Sequence, residues 1–158
     1  MFPSFCFFKV NEKSVQVHCP QGWQTYQGSV SCYKMINKVS NWIDARKACV
    51  SIGGDLVTIT SARENAYVAR LGQTYSNKGT LLWIGLHRDS FMSLDSTKKF
   101  KWVDGSALSG QYSKWNANEP NSVAEECGMM YLTKQHGSLW NDSHCHSKYL
   151  IMCEKDRK

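Results

Sequence analysis

A chain of 158 residues and 18.0 kDa is the size of one domain, and 42% hydrophobic residues with 20% charged and three prolines is a globular composition, not a disordered one. The longest unbroken apolar stretches, Leu81 to Ile84 and Tyr149 to Met152, run to about four residues, against the roughly 20 that a membrane helix needs, so no transmembrane span is expected. The net charge of +6 comes from scattered lysines, which read as a solvated surface and not as a nucleic-acid footprint.

Seven cysteines stand at positions 6, 19, 32, 49, 127, 145 and 153. None forms a C-x-x-C pair, so zinc-ribbon and thioredoxin readings lack their local motif. Wide spacing in a chain of this size points to a disulfide framework and an oxidising, extracellular setting, secreted or as the ectodomain of a membrane protein. Six can pair; spacing alone leaves the connectivity open. The apolar start, Met1 to Phe8, has no charged leading region and is short for a complete secretory signal. Residues 1–18 are therefore expected to be an N-terminal arm or a leader remnant, 19–154 the folded domain, and 155–158 a tail. Cys6 is open to two readings, an interchain bridge that makes a homo-oligomer or a leader residue of no consequence.

In chain order, Trp23 to Met35 reads as two short strands about a Gly28-Ser29 turn, bracketed by Cys19 and Cys32. A first helix is predicted from a cap at Ser40-Asn41, with Trp42, Ala45, Cys49 and Ile52 at helical spacing until Gly53-Gly54. That puts Cys49 on the apolar face. A second starts at Ser61-Ala-Arg-Glu64, a capping box in which the two side chains satisfy each other's free backbone donors. Ala66, Tyr67 and Leu71 carry it on to Gly72. Strands are expected at Leu81 to Leu86, Phe100 to Val103, Cys127 to Leu132 and Tyr149 to Glu154. The polar segment between residues 87 and 126 is long for a structureless connection, and its Trp102, Tyr112 and Trp115 predict an ordered, functional loop in which the tryptophans form a loop core.

Two clusters of oxygen-bearing side chains carry the chemistry. Glu119-Pro120-Asn121 with Glu125 and Glu126 is one; Trp140-Asn141-Asp142 is the other. Glu119, Asn121, Glu125, Asn141 and Asp142 supply three carboxylates and two amide oxygens, hard ligands suited to Ca²⁺, which takes about 6 to 8 oxygens. A bridge between Cys127 and Cys145, just outside the clusters, would hold the two segments together. Read blandly, the same residues are ordinary polar loop.

These motifs, with Trp83-Ile-Gly-Leu86 and six spaced cysteines, resemble the C-type lectin domain, and in particular its EPN mannose-type subgroup in the long form. The resemblance covers about Cys19 to Glu154. It implies an α+β double-loop fold with two helices, two small antiparallel sheets, and bridges Cys19–Cys32, Cys49–Cys153 and Cys127–Cys145. It also implies a cis bond before Pro120 and a sugar-binding calcium site of Glu119, Asn121, Glu125, Asn141 and Asp142. The partners would be glycans ending in mannose, fucose, N-acetylglucosamine or glucose, with Val123 beside the sugar ring. Two departures matter. The stretch from Asn121 to Cys127 is short, so Glu125 is placed by its distance from the cysteine and Glu126 is its alternate. A second calcium site in such lectins uses an acidic residue where Ser122 stands; Asp89, Asp95 and Glu126 are its nearest substitutes, and it stays unassigned.

An enzyme is not expected. His136, His144 and His146 lie near the acidic clusters, but no pair has H-E-x-x-H spacing. His144-Cys145-His146 suggests zinc, yet adjacent side chains on a strand point to opposite faces and Cys145 is read as oxidised. No phosphate loop or nucleophile elbow is present. The rival reading is a domain of the same fold that binds protein without sugar. Asn141-Asp-Ser143 is also an N-glycosylation triplet, expected unmodified because Asn141 is a candidate ligand.

Overall fold

The computed structural model describes residues 18–88 and 100–156; Cys6, Asp89 and Asp95 lie outside them. The described elements are β1 (Ser31–Ser40), α1 (Trp42–Val50), β2 (Asp55–Leu56), α2 (Ala62–Gln73), β3 (Leu81–Arg88), β4 (Phe100–Trp102), β5 (Cys127–Tyr131), a 3-10 turn (Lys134–His136), β6 (Trp140–Ser143) and β7 (Tyr149–Asp156). The strands run in the order β1-β7-β3-β5-β6, with β2 on β7 and β4 on β3. Two antiparallel groups are present as expected, and a short parallel pairing of β3 with β7 at Leu82–Leu150 and Trp83–Ile151 joins them into one mixed sheet. The strand ending at Glu154 in the sequence reading continues to Asp156, which pairs with Ser31.

β3 is buried on both faces, and for that reason its sequence is a continuous apolar run and not an alternating one. Leu82, Ile84 and Leu86 face one core, with Val68, Ala69 and Leu71 of α2 and with Leu150 and Met152 of β7. Trp83 faces the other, with Trp42, Ala45 and Cys49 of α1 and with Ile151 and Cys153. Period-two alternation on β3 and β7 thus divides one sheet between two helices. Each fully buried side chain of this size is worth about 1.5–3 kcal/mol of transfer free energy. Both indoles on the α1 side also find acceptors, Trp42 Nε1 donating to the Ile84 carbonyl at 2.9 Å and Trp83 Nε1 to the Ser40 carbonyl at 2.8 Å.

Gly85 is required where it stands. A Cβ there would lie 2.8 Å from the Leu56 carbonyl and 2.9 Å from Val103 Cγ2, because the residue bonds Val57 through its N–H and Val103 through its carbonyl, each at 2.8 Å.

α1 starts as expected, with Asn41 Oδ1 accepting the Asp44 N–H at 2.9 Å. It stops at Val50, however, so Ile52 lies in the turn that Gly53 completes at φ 78°, half out of the core. The α2 cap differs in one bond. Ser61 Oγ accepts the Glu64 N–H at 3.2 Å, but the Glu64 carboxylate reaches Thr60, accepting its N–H at 2.7 Å and its hydroxyl at 2.9 Å. Burial under β1 is the reason: Glu64 is 5% exposed and also accepts the Tyr33 hydroxyl at 2.5 Å. The expected N-terminal hairpin shrinks to one bridge, Gln24 with Tyr33.

All three implied disulfides are formed, Cys19–Cys32, Cys49–Cys153 and Cys127–Cys145. The second closes a loop of 104 residues, worth about 4.7 kcal/mol in the chain-entropy account.

Candidate functional site

The site is built on Trp140. Its ring is fully buried, meeting Trp102, Tyr112 and Trp115 edge-on at 5.6 to 6.0 Å between ring centres. Its Nε1 donates to Asn65 Oδ1 of α2 at 2.7 Å, and Asn65 Nδ2 donates in turn to Ser138. The loop aromatics are therefore core, as expected. What the sequence reading missed is that residues 140–143 form a strand, β6, paired with β5 so that Asn141 lies opposite Met129 and Asp142 opposite Gly128.

The other ligand segment is fastened to that strand. The Trp140 N–H donates to the Lys114 carbonyl at 2.7 Å, and the Asn116 N–H to the Trp140 carbonyl at 2.8 Å. The chain then reverses, with Asn118 at φ 65° and the Glu119 N–H on the Asn116 carbonyl at 3.1 Å. Asparagine tolerates that left-handed conformation better than most residues. The Glu119–Pro120 bond is cis, as the resemblance implies. Asn121 Nδ2 donates to Glu119 Oε1 at 3.0 Å. Beyond Pro120 the chain docks on Asp142, whose carboxylate accepts the Asn121 N–H at 3.4 Å and the Ser122 N–H at 3.2 Å. At the far end Cys127–Cys145 ties β5 to the turn after β6, and His144 Nδ1 lies 3.2 Å from the Ala124 carbonyl.

Glu119, Asn121 and Asp142 thus come together, with Asn141 next to Asp142 on β6. Glu125 joins them electrostatically: the Glu119 carboxyl is held above the usual carboxylate range, first by burial, then by Asp142 and by the charge of Glu125. Burial raises Tyr131 above its ordinary value, with help from Glu119 and Glu125. Glu126 offers its backbone carbonyl to the Arg88 N–H at 2.7 Å. Val123 is 58% exposed on the same loop.

Two oxygens of the set, Glu119 Oε2 and Asn141 Oδ1, are buried with no hydrogen-bond partner among the described residues. Such atoms are costly unless something fills the place of water, and crowded carboxylate and amide oxygens suit a hard cation. Among the described residues no three His, Cys, Asp or Glu side chains make a ready metal cluster, so a cation here depends on the two amide oxygens as well as the carboxylates.

His144 and His146 correct one expectation. They lie in the turn after β6, not on a strand, and their exposed rings stack at 5.4 Å. His136 stacks on Tyr131 at 4.4 Å. In the Asn141-Asp-Ser143 triplet, Ser143 Oγ is 2.9 Å from the Tyr149 hydroxyl within the sheet, an awkward setting for a glycan. A separate concavity lies among Tyr26, Tyr33, Glu64, Asp104 and Glu154, and none of the five candidate ligands lines it.

Residue 88 was not anticipated. Arg88 is 6% exposed, and its Nη2 donates to Asp142 Oδ2 at 3.2 Å. A lone arginine at the end of an apolar strand gives no sign of this in the sequence.

Comparison with known proteins agrees with the fold. Residues 37–155 match the family described as the Lectin C-type domain. C-type lectin domain family 4 member M of Nomascus concolor is 36% identical over 138 residues, 87% of this chain and 31% of that protein. Among solved structures, the C-type lectin CEL-I from Cucumaria echinata superposes with a TM-score of 0.75 at 30% identity, covering 89% of this chain and 99% of that one. The C-type carbohydrate-recognition domain of cow CD23, solved in the presence of a GlcNAc2Man3 oligosaccharide, gives a TM-score of 0.70 at 31% identity, with 89% and 98% covered. The chain belongs to the C-type lectin domain family. The family is one of non-enzymatic, carbohydrate-binding lectin domains that generally bind Ca²⁺. The chain spans about a third of the length of the curated relatives it matches. No described helix is long and apolar enough to cross a membrane.

Proposed function

We propose that the chain is a calcium-dependent lectin that recognises mannose-type glycans (mannose, fucose, N-acetylglucosamine or glucose termini) in an extracellular setting. Glu119, Asn121, Glu125, Asn141 and Asp142 hold the ion. The observation that supports this reading is the pair of buried, unpartnered oxygens, Glu119 Oε2 and Asn141 Oδ1, on the two segments that Asp142 fastens together, with the charges of Asp142 and Glu125 acting on Glu119.

When bound, Ca²⁺ supplies open coordination positions for two neighbouring sugar hydroxyls. Each hydroxyl still has a proton to give and a lone pair to share. Glu119 and Glu125 accept those protons; Asn121 and Asn141 donate N–H bonds. The resemblance assigns this Glu-Pro-Asn order to equatorial 3- and 4-hydroxyls, and the Gln-Pro-Asp order to galactose. Exposed Val123 packs against one face of the ring. Few protein atoms reach the sugar, so useful avidity comes from several domains displayed together, with Cys6 a candidate for joining copies.

The test is a glycan array on the wild-type chain and on Glu119→Gln/Asn121→Asp, in calcium and in chelator. The wild type is expected to retain mannose-type glycans in calcium alone, and the double variant to shift toward galactose. A wild type that prefers galactose, or a double variant with unchanged preference, overturns the specificity. Chelator-resistant binding instead favours the protein-partner alternative.

A further inference from the structure

Asp142 is fully buried, and its carboxylate takes three bonds, from the Asn121 and Ser122 N–H groups and from Arg88 Nη2. Among the described residues that bond it, Arg88 brings the positive charge, set against the negative charge of nearby Glu119. The ion pair is sealed, with the two side chains 3% and 0% exposed. The guanidinium is held from one other side, its carbon 4.7 Å over the Phe100 ring, and the Arg88 backbone is anchored by its own N–H on the Glu126 carbonyl. Its Nε and Nη1 are buried and have no hydrogen-bond partner among the described residues. Among those residues, then, the polar side of the guanidinium is spent on Asp142 alone, an unusual use of a group with five donors.

We infer that Arg88 is the built-in countercharge of the candidate calcium cage, a positioning residue that keeps Asp142 paired and the Asn121-Ser122 backbone docked in the absence of metal, and thereby sets how weakly the cage holds its ion. The inference rests on the calcium reading above and goes beyond it.

The argument is a thermodynamic cycle. Breaking a buried ion pair from one side strands the other charge, which is strongly destabilising. Without Arg88, the metal-free protein carries a buried, unpaired Asp142. The calcium-bound protein does not, because a divalent cation at the cage neutralises the same carboxylate. Loss of Arg88 therefore raises the free energy of the metal-free state more than that of the loaded state, and linkage turns that difference into tighter calcium binding. Repulsion acts in the same direction, since a fixed cation in a low-dielectric site opposes a second one. Arg88 gives the cage its shape before metal arrives, and it weakens the hold on the metal that follows.

The experiment uses the full chain, with calcium titration by calorimetry and thermal unfolding in saturating calcium and in chelator, on wild type, Arg88→Gln and Arg88→Lys. Arg88→Gln is expected to melt lower in chelator, to recover much of the loss in calcium, and to bind calcium more tightly by roughly 5- to 150-fold. Arg88→Lys keeps a charge but not the planar fork and is expected to fall between the two. If Arg88→Gln does not fold in chelator yet folds in calcium, that is the extreme form of the same result. If it folds in neither, the Arg88→Lys gap between calcium and chelator decides, a wider gap than wild type supporting the inference and an equal or narrower one overturning it. Equal losses in both conditions, or weaker calcium binding by Arg88→Gln, also overturn it. A wild type that gives no calcium heat and no chelator effect overturns the calcium reading itself, an outcome distinct from calcium binding that ignores residue 88.

Discussion

Glu119 is a carboxyl raised by its surroundings, with burial the main cause and Asp142 and Glu125 adding to it. A raised value means that the metal-free fold holds this proton more firmly than the unfolded chain does. Its stability contribution is therefore present below the unfolded pKa, near the ordinary carboxyl value of 4.5, and is lost as pH rises through the raised one. Cation binding needs the ionised form, so it runs the opposite way and strengthens with pH. Calcium affinity is expected to be weaker at about pH 5 than at about pH 7, with the sugar released along with the metal. Glu119→Gln is expected to bind calcium poorly at both values and with a shallower slope. Calorimetric titration at the two values checks this, and equal wild-type affinity at both would count against Glu119 as a ligand.

At the scale of elements, the ligands are only as well placed as the strand beneath them. The Trp140 side chain makes its polar bond to Asn65 of α2, so Asn65→Leu leaves a buried indole N–H with no acceptor. The expected cost is about 1–3 kcal/mol, measured by denaturant unfolding, together with weaker sugar binding by a variant altered at none of the ligand positions. The helices were legible in advance because caps and period announce themselves; Asn41 and Ser61 stand where they were expected. β6 was not, since Trp-Asn-Asp-Ser has neither β-branched residues nor alternation, and its pairing depends on β5 and on the backbone of Lys114 to Asn116. β2 is two residues long and has no period to read. The five candidate ligands could be named from residue type, spacing and family likeness. Arg88 could not, because burial of a charge is decided by what the fold places around it, here Phe100 and Asp142. The same holds for Glu64, whose expected partner was displaced by one residue once β1 covered it.

At the scale of the whole molecule, Glu154 on β7 links stability to pH far from the lectin loop. Burial, offset in part by bonds from Ser31 and Thr58, pushes its carboxyl up to about 7. The sign is that of any raised carboxyl: the favourable contribution holds below about 4.5 and disappears as pH rises through about 7. Unfolding in chelator across that range is expected to show the wild type losing stability relative to Glu154→Gln, at up to about 1.4 kcal/mol per pH unit for one group, and the difference levelling off above neutrality. A constant difference would mean that the carboxyl does not titrate in that window. β7 has a further consequence through its partner. Ser31 opens β1 and lies directly opposite Asp156, the last described residue of β7, while the Cys19–Cys32 bridge draws the start of the described chain to the same edge. Fluorescent labels attached at positions 18 and 156 are therefore expected to show efficient energy transfer while that bridge and the β1–β7 pairing hold, and to lose it on unfolding in reductant.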